Sequence, residues 1–446
     1  MSRARRLGAW VSGLDRADIP PDLIEKLRNH FLDTVGAAIV GDGREPVRIA
    51  SRVFSAPGET PLLIDGAPRH FVDAARVNAV AAHAAEIDDT EGCDHTGAVV
   101  VPVLLALLEE VNCTGDDLLA AMVAGYEVGR RVQQALGGYD EHNGAGWHST
   151  ATCGVFAAAV AAARLMRLDA AQCNAALAIA ASSSAGSWAF AADGSMTKQF
   201  HVAGAAGNGL QAALLARAGA TGPEAIFDDI WGGYFATHGT PRSNPDALAA
   251  GLGTEWHAEH SAIKMYAACR SAHPAIDGVV DLLNSGGPGI DDVRRVVIEV
   301  SPFLRPMICP ENPGSVEAAR MSLPISLALL FMGSQLDPDA YAAFASPRVA
   351  RITGRIRVVE TERLDTRQSV RVTVRSASQE WVVERRFARG SEGAPFTTEE
   401  IRDKFWRLVV PRIGERQARR AIAYVDALGA DPVPTFPALR ETEPAQ

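Results

Sequence analysis

The chain has 446 residues, 47% hydrophobic and 22% charged, with a net charge of -10. That length exceeds one ordinary core and predicts two globular domains, and the acidic balance favours solubility and argues against a nucleic-acid surface. Six cysteines at positions 93, 113, 153, 173, 269 and 309 contain no CxxC pair, which argues against a zinc ribbon or a secreted disulfide framework and predicts reduced thiols in a cytoplasm.

The N-terminal segment carries arginines but no apolar run, because Asp15 and Asp18 interrupt it, so no signal peptide is expected. No stretch is long and apolar enough to predict a membrane span. The basic clusters at Arg3 to Arg6, Arg385-Arg386 and Arg419-Arg420 lack interleaved aromatics and read as solvated faces.

Along the chain, the first half reads as helix. "HAAEIDDTEGCDHTGAVVVP" (83–102) packs His83, Glu86, Asp88, Asp89, Glu91, Asp94 and His95 into thirteen positions between two apolar helical stretches. Asp88, Asp89 and Thr90 are expected to end the helix carrying His83 and Glu86. Acidic groups there oppose the helix dipole and so have a local cost. His95 precedes an apolar segment, which turns its imidazole toward the interior. The run can be read as a metal site, a proton-transfer site or a solvated acidic turn. Carboxylates with imidazole suit several divalent ions, but the run has no recognisable ligand repeat.

"CTGDDLLAAMVAGYEVGRRVQQAL" opens on Thr114 with Asp117 three residues on, close to a capping box, and "LDAAQCNAALAIAASSSAG" repeats the device with Asp169 and Gln172. The small residues of these helices predict closely packed axes. "GGYDEHNGAGWHSTATCG" reads as a loop feeding a buried helix from about Ser149 or Thr150. It places His148 at a helix N-terminus, where free N–H groups favour anions. "DGSMTKQFHVAGAAGNG" puts Lys198 and His201 at the start of a small-residue helix. A lysine buried there can act as a base or bind a carboxylate. "GAAGNG" within it reads as a packing device rather than a phosphate loop.

"IKMYAACRSAHPAID" gathers Lys264, Tyr266, Cys269, Arg270 and His273, and three cationic groups suit a substrate with several carboxylates. Beyond about residue 260 the pattern becomes β-rich. In "SVRVTVRS" (369–376) Val370, Val372 and Val374 alternate with polar residues, the period of a half-buried strand. "SASQ" then suits a hairpin turn before "EWVVERRF". "HPAIDGVVDLLN" reads as helix, so this section predicts an α+β domain. Helix returns at Thr397, which with Glu400 forms a further capping box; Pro411 is expected to end that helix. The chain is thus expected to be mostly α, with a large all-helical domain (1–259 and 397–446) and a smaller inserted α+β domain (260–396). No GxGxxG after a strand, Walker A, HExxH or GxSxG occurs.

Four of these stretches, "HAAEIDDTEGCDHTGAVVVP", "GWHSTATCGVFAAA", "DGSMTKQFHVAGAAGNG" and "IKMYAACRSAHPAID", together resemble the MmgE/PrpD family over roughly Arg5 to Leu428. The family includes 2-methylcitrate dehydratase, cis-aconitate decarboxylase and iminodisuccinate epimerase. The resemblance implies a helical domain with an α+β lid, a homodimer, no metal or organic cofactor, and a small di- or tricarboxylate substrate. Carried over by motif, it assigns catalytic roles to Glu86, Thr90, His95, His148 and Lys198, and substrate binding to Asp88, Lys264, Tyr266, Cys269, Arg270 and His273. Two departures point away from cis-aconitate decarboxylation: Thr90 to His95 is one residue shorter than the decarboxylase pattern, and Cys269 stands where that pattern has histidine. The expected activity is a lyase that removes a proton next to a carboxylate and dehydrates a hydroxy-polycarboxylate, with epimerisation or decarboxylation as alternatives.

Overall fold

A computed structural model describes residues 1–310 and 313–430, together with Val433, Phe436 and Leu439. The described chain is mostly helical and divides into two compact units. One comprises 1–188, 198–263 and 397–446; the other comprises 189–197 and 264–396.

The first unit contains α1 (Arg3–Gly13), α2 (Pro21–Gly41), α3 (Glu45–Val53), α4 (Phe71–His83), α5 (Gly97–Leu108), α6 (Gly115–Ala135), α7 (Gly138–Gly144), α8 (Ser149–Thr152), α9 (Gly154–Leu165), α10 (Ala170–Ala181), α11 (Thr197–Arg217), α12 (Tyr234–His238) and α18 (Thr398–Asp426). A two-strand ladder, β1 (Thr60–Pro61) with β2 (Pro68–Arg69), interrupts it. The capping boxes expected at Thr114, Asp169 and Thr397 are all formed. Helix α9 is buried on every side except at Arg164, as an all-round apolar helix must be. It packs on α5, α6 and α10, while α2 packs on α4 and α18. Small residues set the α6–α9 spacing: a Cβ on Gly125 would lie 3.1 Å from both the Ala157 carbonyl oxygen and the Ala161 Cβ.

The second unit carries a four-stranded sheet in the order β4-β3-β5-β6, from β3 (Arg295–Val300), β4 (Ile356–Glu360), β5 (Val370–Arg375) and β6 (Glu380–Arg385). β3 runs parallel to β4 and antiparallel to β5, and β5–β6 is the expected hairpin, closed by Ser376 N–H donating to the Gln379 carbonyl. Val370, Val372 and Val374 are buried while Arg371 and Arg375 are exposed. The unit's helices are α13 (His273–Asn284), α14 (Arg305–Ile308), α15 (Val316–Arg320), α16 (Leu323–Phe331) and α17 (Pro347–Thr353). α13 packs on β5, β6 and α16. No helix among the described residues is long and apolar enough to cross a membrane.

Three local expectations need correction. Helix α4 ends at His83, so Glu86, Asp88, Asp89 and Thr90 follow it in irregular chain rather than closing it. Their carboxylates therefore do not sit in its last turn, and the dipole cost does not arise. The stretch before His148 is not all loop, because α7 occupies Gly138–Gly144. In the C-terminal helix the break falls at Gly414, whose φ of 76° leaves helical space, and not at Pro411. Proline removes one hydrogen bond, whereas a left-handed residue turns the chain away.

Candidate active site

The acidic run is held in an unusual backbone. Glu86, Glu91 and Asp94 have φ of 56°, 60° and 75°. Non-glycine residues rarely adopt this region, and such strain of about 1–3 kcal/mol each persists only where the surroundings over-determine it. The surroundings here are specific. Lys404 of α18 donates to Asp33 of α2 at 2.5 Å and to the Ile87 carbonyl at 2.8 Å, pinning the chain just before Asp88. Thr90 exchanges backbone hydrogen bonds with Ala262 at 2.8 and 2.7 Å. Asp89 accepts from Gly97 N–H at the start of α5 (2.8 Å), from the Tyr126 hydroxyl (2.6 Å) and from His30 Nδ1 (2.9 Å). Gly97 must be glycine for this: an added Cβ would lie 2.2 Å from Thr34 Oγ1 and 2.8 Å from the Tyr126 hydroxyl.

Within this frame the side chains converge. Asp88 is fully buried, and its Oδ2 lies 2.9 Å from His83 Nδ1 and 3.0 Å from His95 Nδ1. The two imidazole centroids are 4.2 Å apart. Burial, followed by the charge on Lys198, drives the His83 pKa down to about 3. His83 is therefore neutral, donates through Nδ1 to Asp88, and presents the Nε2 lone pair to Lys198 Nζ at 3.1 Å. Lys198, from the first turn of α11, also donates to Glu86 Oε2. Burial alone would raise the Asp88 pKa, but the charges and hydrogen bonds of His95 and His83 overcome it, and the carboxyl falls well below its usual range.

His95 is oriented from one side. Its Nδ1 faces two acceptors, Asp88 Oδ2 and the Asp89 carbonyl at 3.0 Å, so that nitrogen carries the proton. Its Nε2 is left facing Asp94, 3.7 Å from Oδ1. Thr90 Oγ1 donates to the same Asp94 oxygen at 3.2 Å. On the far side, His148 Nε2 is 3.5 Å from Asp94 Oδ2, and its Nδ1 is 2.9 Å from His201 Nδ1. Burial pushes His148 down to about 3 and His201 to about 4. For Asp94, the His95 charge and the His148 hydrogen bond outweigh burial and hold the carboxyl low. Chemically, the arrangement offers an imidazole nitrogen whose partner proton is locked on a carboxylate, the logic by which a carboxylate fixes a base's tautomer.

The structure thus brings Glu86, Asp88, Thr90, His95, His148 and Lys198 together, all at most 4% exposed. Three further members, His83, Asp94 and His201, were named in their motifs in the sequence but given no catalytic or binding role. A sequence signal existed for each, since all three stand inside the same motifs.

The segment from Lys264 to His273 belongs to the second unit. Tyr266 donates to Asp277 Oδ1 at 3.0 Å, and burial with the nearby Asp277 charge raises its pKa. His273 Nε2 lies 3.2 Å from the Ala268 carbonyl and its ring 5.2 Å from that of Tyr266. Arg270 donates to the Arg389 carbonyl at 3.0 Å, and Cys269 N–H to that of Arg320. These contacts stiffen the segment.

Comparison with known proteins gives the arrangement a relationship. A cis-aconitate decarboxylase of Aspergillus terreus is 30% identical over 360 residues, 75% of this chain and 73% of its own. The cis-aconitate decarboxylase-like protein oryM of Aspergillus oryzae is 28% identical over 441 residues, 92% and 91% of the two chains. The cis-aconitate decarboxylase of Homo sapiens is 30% identical over 288 residues, 61% and 58%. The MmgE/PrpD N-terminal domain matches residues 5–245, which contain the whole cluster from His30 to His201, and the MmgE/PrpD C-terminal domain matches 266–430. With both domains matched in order across nearly its full length, this chain belongs to the MmgE/PrpD family.

Proposed function

We propose that this protein is a lyase acting on a small polycarboxylate by proton transfer at carbon, without an added cofactor. The observation that carries the reading is His95: a buried imidazole with Nδ1 committed to Asp88 and the Asp89 carbonyl, Nε2 facing Asp94 at 3.7 Å with no shorter polar contact among the described residues, and Lys198 nearby on His83. As a base, His95 Nε2 takes the proton next to a carboxylate, and Asp88 stabilises the resulting imidazolium. Lys198, carried between Glu86 and His83, supplies positive charge to the developing carbanion or a proton to a leaving hydroxyl. In a dehydration the C–H electron pair forms the double bond and the hydroxyl leaves as water. In a decarboxylation the C–C bond breaks, CO2 leaves, and the carbon takes its proton from the Lys198 ammonium, or from His95 after its Nε2 has first taken one up from solvent. Both uses need the same pair.

The relatives named cis-aconitate decarboxylase make cis-aconitate the first substrate to test. The shortened Thr90–His95 spacing and Cys269 keep dehydration of a hydroxy-polycarboxylate in the reading, with epimerisation of an amino- or imino-dicarboxylate after it. On sequence grounds Lys264 and Arg270 are proposed partners of substrate carboxylates, and the family resemblance supports a homodimer, checked by light scattering. The deciding experiment is proton NMR in D2O with a panel of di- and tricarboxylates. Loss of CO2, loss of hydroxyl and simple α-deuteration give different spectra. No change with any member of the panel, from folded protein, would remove the proposal.

A further inference from the structure

The first unit also holds a cavity of about 380 Å3 between α3, the chain that joins β1 to β2, and α4. None of its lining residues is a member of the buried cluster described above. Its floor is apolar: Val47, Leu62, Ile64, Val77 and Ala81 are each at most 6% exposed. Cavities that take small ligands have this character, an apolar wall with a few placed polar groups.

The polar groups that this cavity leaves unpaired are donors. Arg48 and Arg52 stand about one turn apart on α3, line the cavity and are exposed to solvent. Neither makes a hydrogen bond or ion pair among the described residues. Arg44, a turn earlier, instead donates to the Val40 carbonyl at 3.1 Å. Like charges four residues apart on a helix repel, so α3 gains nothing locally from the pair. Asp42 and Asp65 line the same cavity, but both are engaged, Asp65 Oδ1 by the Ala67 N–H at 2.9 Å. On α4, Asn78 is only 5% exposed, and its Oδ1 accepts from the Leu63 N–H at 3.0 Å. Its amide nitrogen, which carries two donors, has no partner among the described residues.

We propose that this cavity binds a small amphipathic anion, a carboxylate or phosphate head on an apolar chain. Arg48 and Arg52 hold the head, since a guanidinium fork matches either kind of oxyanion. The apolar chain lies against Leu62, Ile64 and Val77, and Asn78 supplies one further donor. The site is separate from the proton-transfer chemistry proposed above and does not rest on it.

The full chain is titrated by calorimetry with octanoate, octyl phosphate and octanol at neutral pH. One site per chain is expected for at least one of the two anions, and the tighter of them identifies the head group. Octanol, which has the chain without the charge, should bind at least about tenfold more weakly. Arg48→Gln combined with Arg52→Gln removes two exposed, unpaired charges, so the fold should stand. Anion binding should weaken by roughly 10–100-fold, the range for lost hydrogen bonds to a charged group. Asn78→Asp keeps an acceptor for the Leu63 N–H and puts negative charge where the amide nitrogen was, so it should weaken the anions too. Arg217→Gln, at an exposed arginine of α11, should bind as wild type. Octanol bound as tightly as the anions, anion binding unchanged in the double arginine variant, or folded wild type that binds neither anion overturns the site. A smaller mass for the double arginine variant by light scattering, with neither anion bound by wild type, overturns it in favour of a second copy of the chain on this face.

Discussion

Asp88 and Asp89 are neighbours in the chain, are both fully buried, and have opposite surroundings. Asp89 is filled: three donors from three helices meet its two oxygens, and its imidazole partner His30 passes on to Ser261 Oγ at 3.1 Å. Asp88 is not. Its Oδ2 is shared by two imidazoles, and its Oδ1 has no partner among the described residues. A buried polar group with all its hydrogen bonds made rigidifies a fold, and one left incomplete is costly unless it has another use. The Asp89 side is therefore read as the clamp that holds α2, α5 and α6 together, and the Asp88 side as the chemistry that the clamp makes possible.

The sharpest way to break this contrast is on the Asp88 side. His95→Gln should lower kcat by roughly 10²–10⁴-fold, the span of one general acid–base group. Lys198→Met should lower it by about 10²–10³-fold as one electrostatic stabiliser. Both should keep the wild-type circular dichroism spectrum. Acting on one transition state, the double variant should lose less than the product of the single losses. Near-wild-type kcat/KM in either folded variant would take that residue out of the mechanism.

On the Asp89 side the loss should be in stability. Asp89→Ala strands the Gly97 N–H, the Tyr126 hydroxyl and His30 at once. It should cost about 3–5 kcal/mol, the range for removing one partner from a buried charged network. Asp88→Asn, of similar shape, should cost under about 1 kcal/mol in urea unfolding yet impair turnover. Equal stability losses for the two would dissolve the distinction.

Acid should also act through the buried histidines. His83 and His148 sit at about 3 and His142 at about 4, each held down first by burial. In the unfolded chain the same groups take up a proton below about 6.5. The unfolded state therefore binds more protons as pH falls. Stability is full above pH 6.5 and is lost on the way down toward 3–4, by on the order of 2 kcal/mol per histidine at pH 5. Urea midpoints measured from pH 7.5 to 5 should fall, and less steeply in His142→Gln. A flat profile would mean that these imidazoles are protonated in the fold.

Much of the architecture was legible because it is local. Thr114, Asp169 and Thr397 announce helix starts through a partner three residues on, and Val370, Val372 and Val374 announce a strand by alternation. The motifs that gather the site were legible for the same reason, each being a dense short run. What joins them was not. His30 meets Asp89 across 59 positions and Ser261 across 231, and Lys198 meets His83 across 115. No periodicity encodes such pairs. The end of α4 at His83 carried no breaker either: the turn is made by a left-handed Glu86, which propensity does not favour, and tertiary contacts at Ile87 and Thr90 override it.

The smallest effect tests the clamp at one atom. Tyr126 is fully buried, its hydroxyl donates to Asp89 Oδ2 at 2.6 Å, and burial with the Asp89 charge raises its pKa well above the ordinary range. It is therefore a neutral donor at any working pH. Tyr126→Phe removes only that oxygen. The ring stays packed at the edge of His30, with centroids 5.6 Å apart, so no cavity term of note is added. Asp89 keeps Gly97 and His30, so the carboxylate is weakened rather than stranded. The cost should be about 1 kcal/mol, that of one hydrogen bond. Because the Asp89 carbonyl, not its carboxylate, touches His95, kcat/KM should stay within about twofold of wild type. A folded Tyr126→Phe enzyme with kcat reduced tenfold or more, at unchanged stability, would show that the two aspartates work as one unit and that the division between clamp and chemistry is wrong.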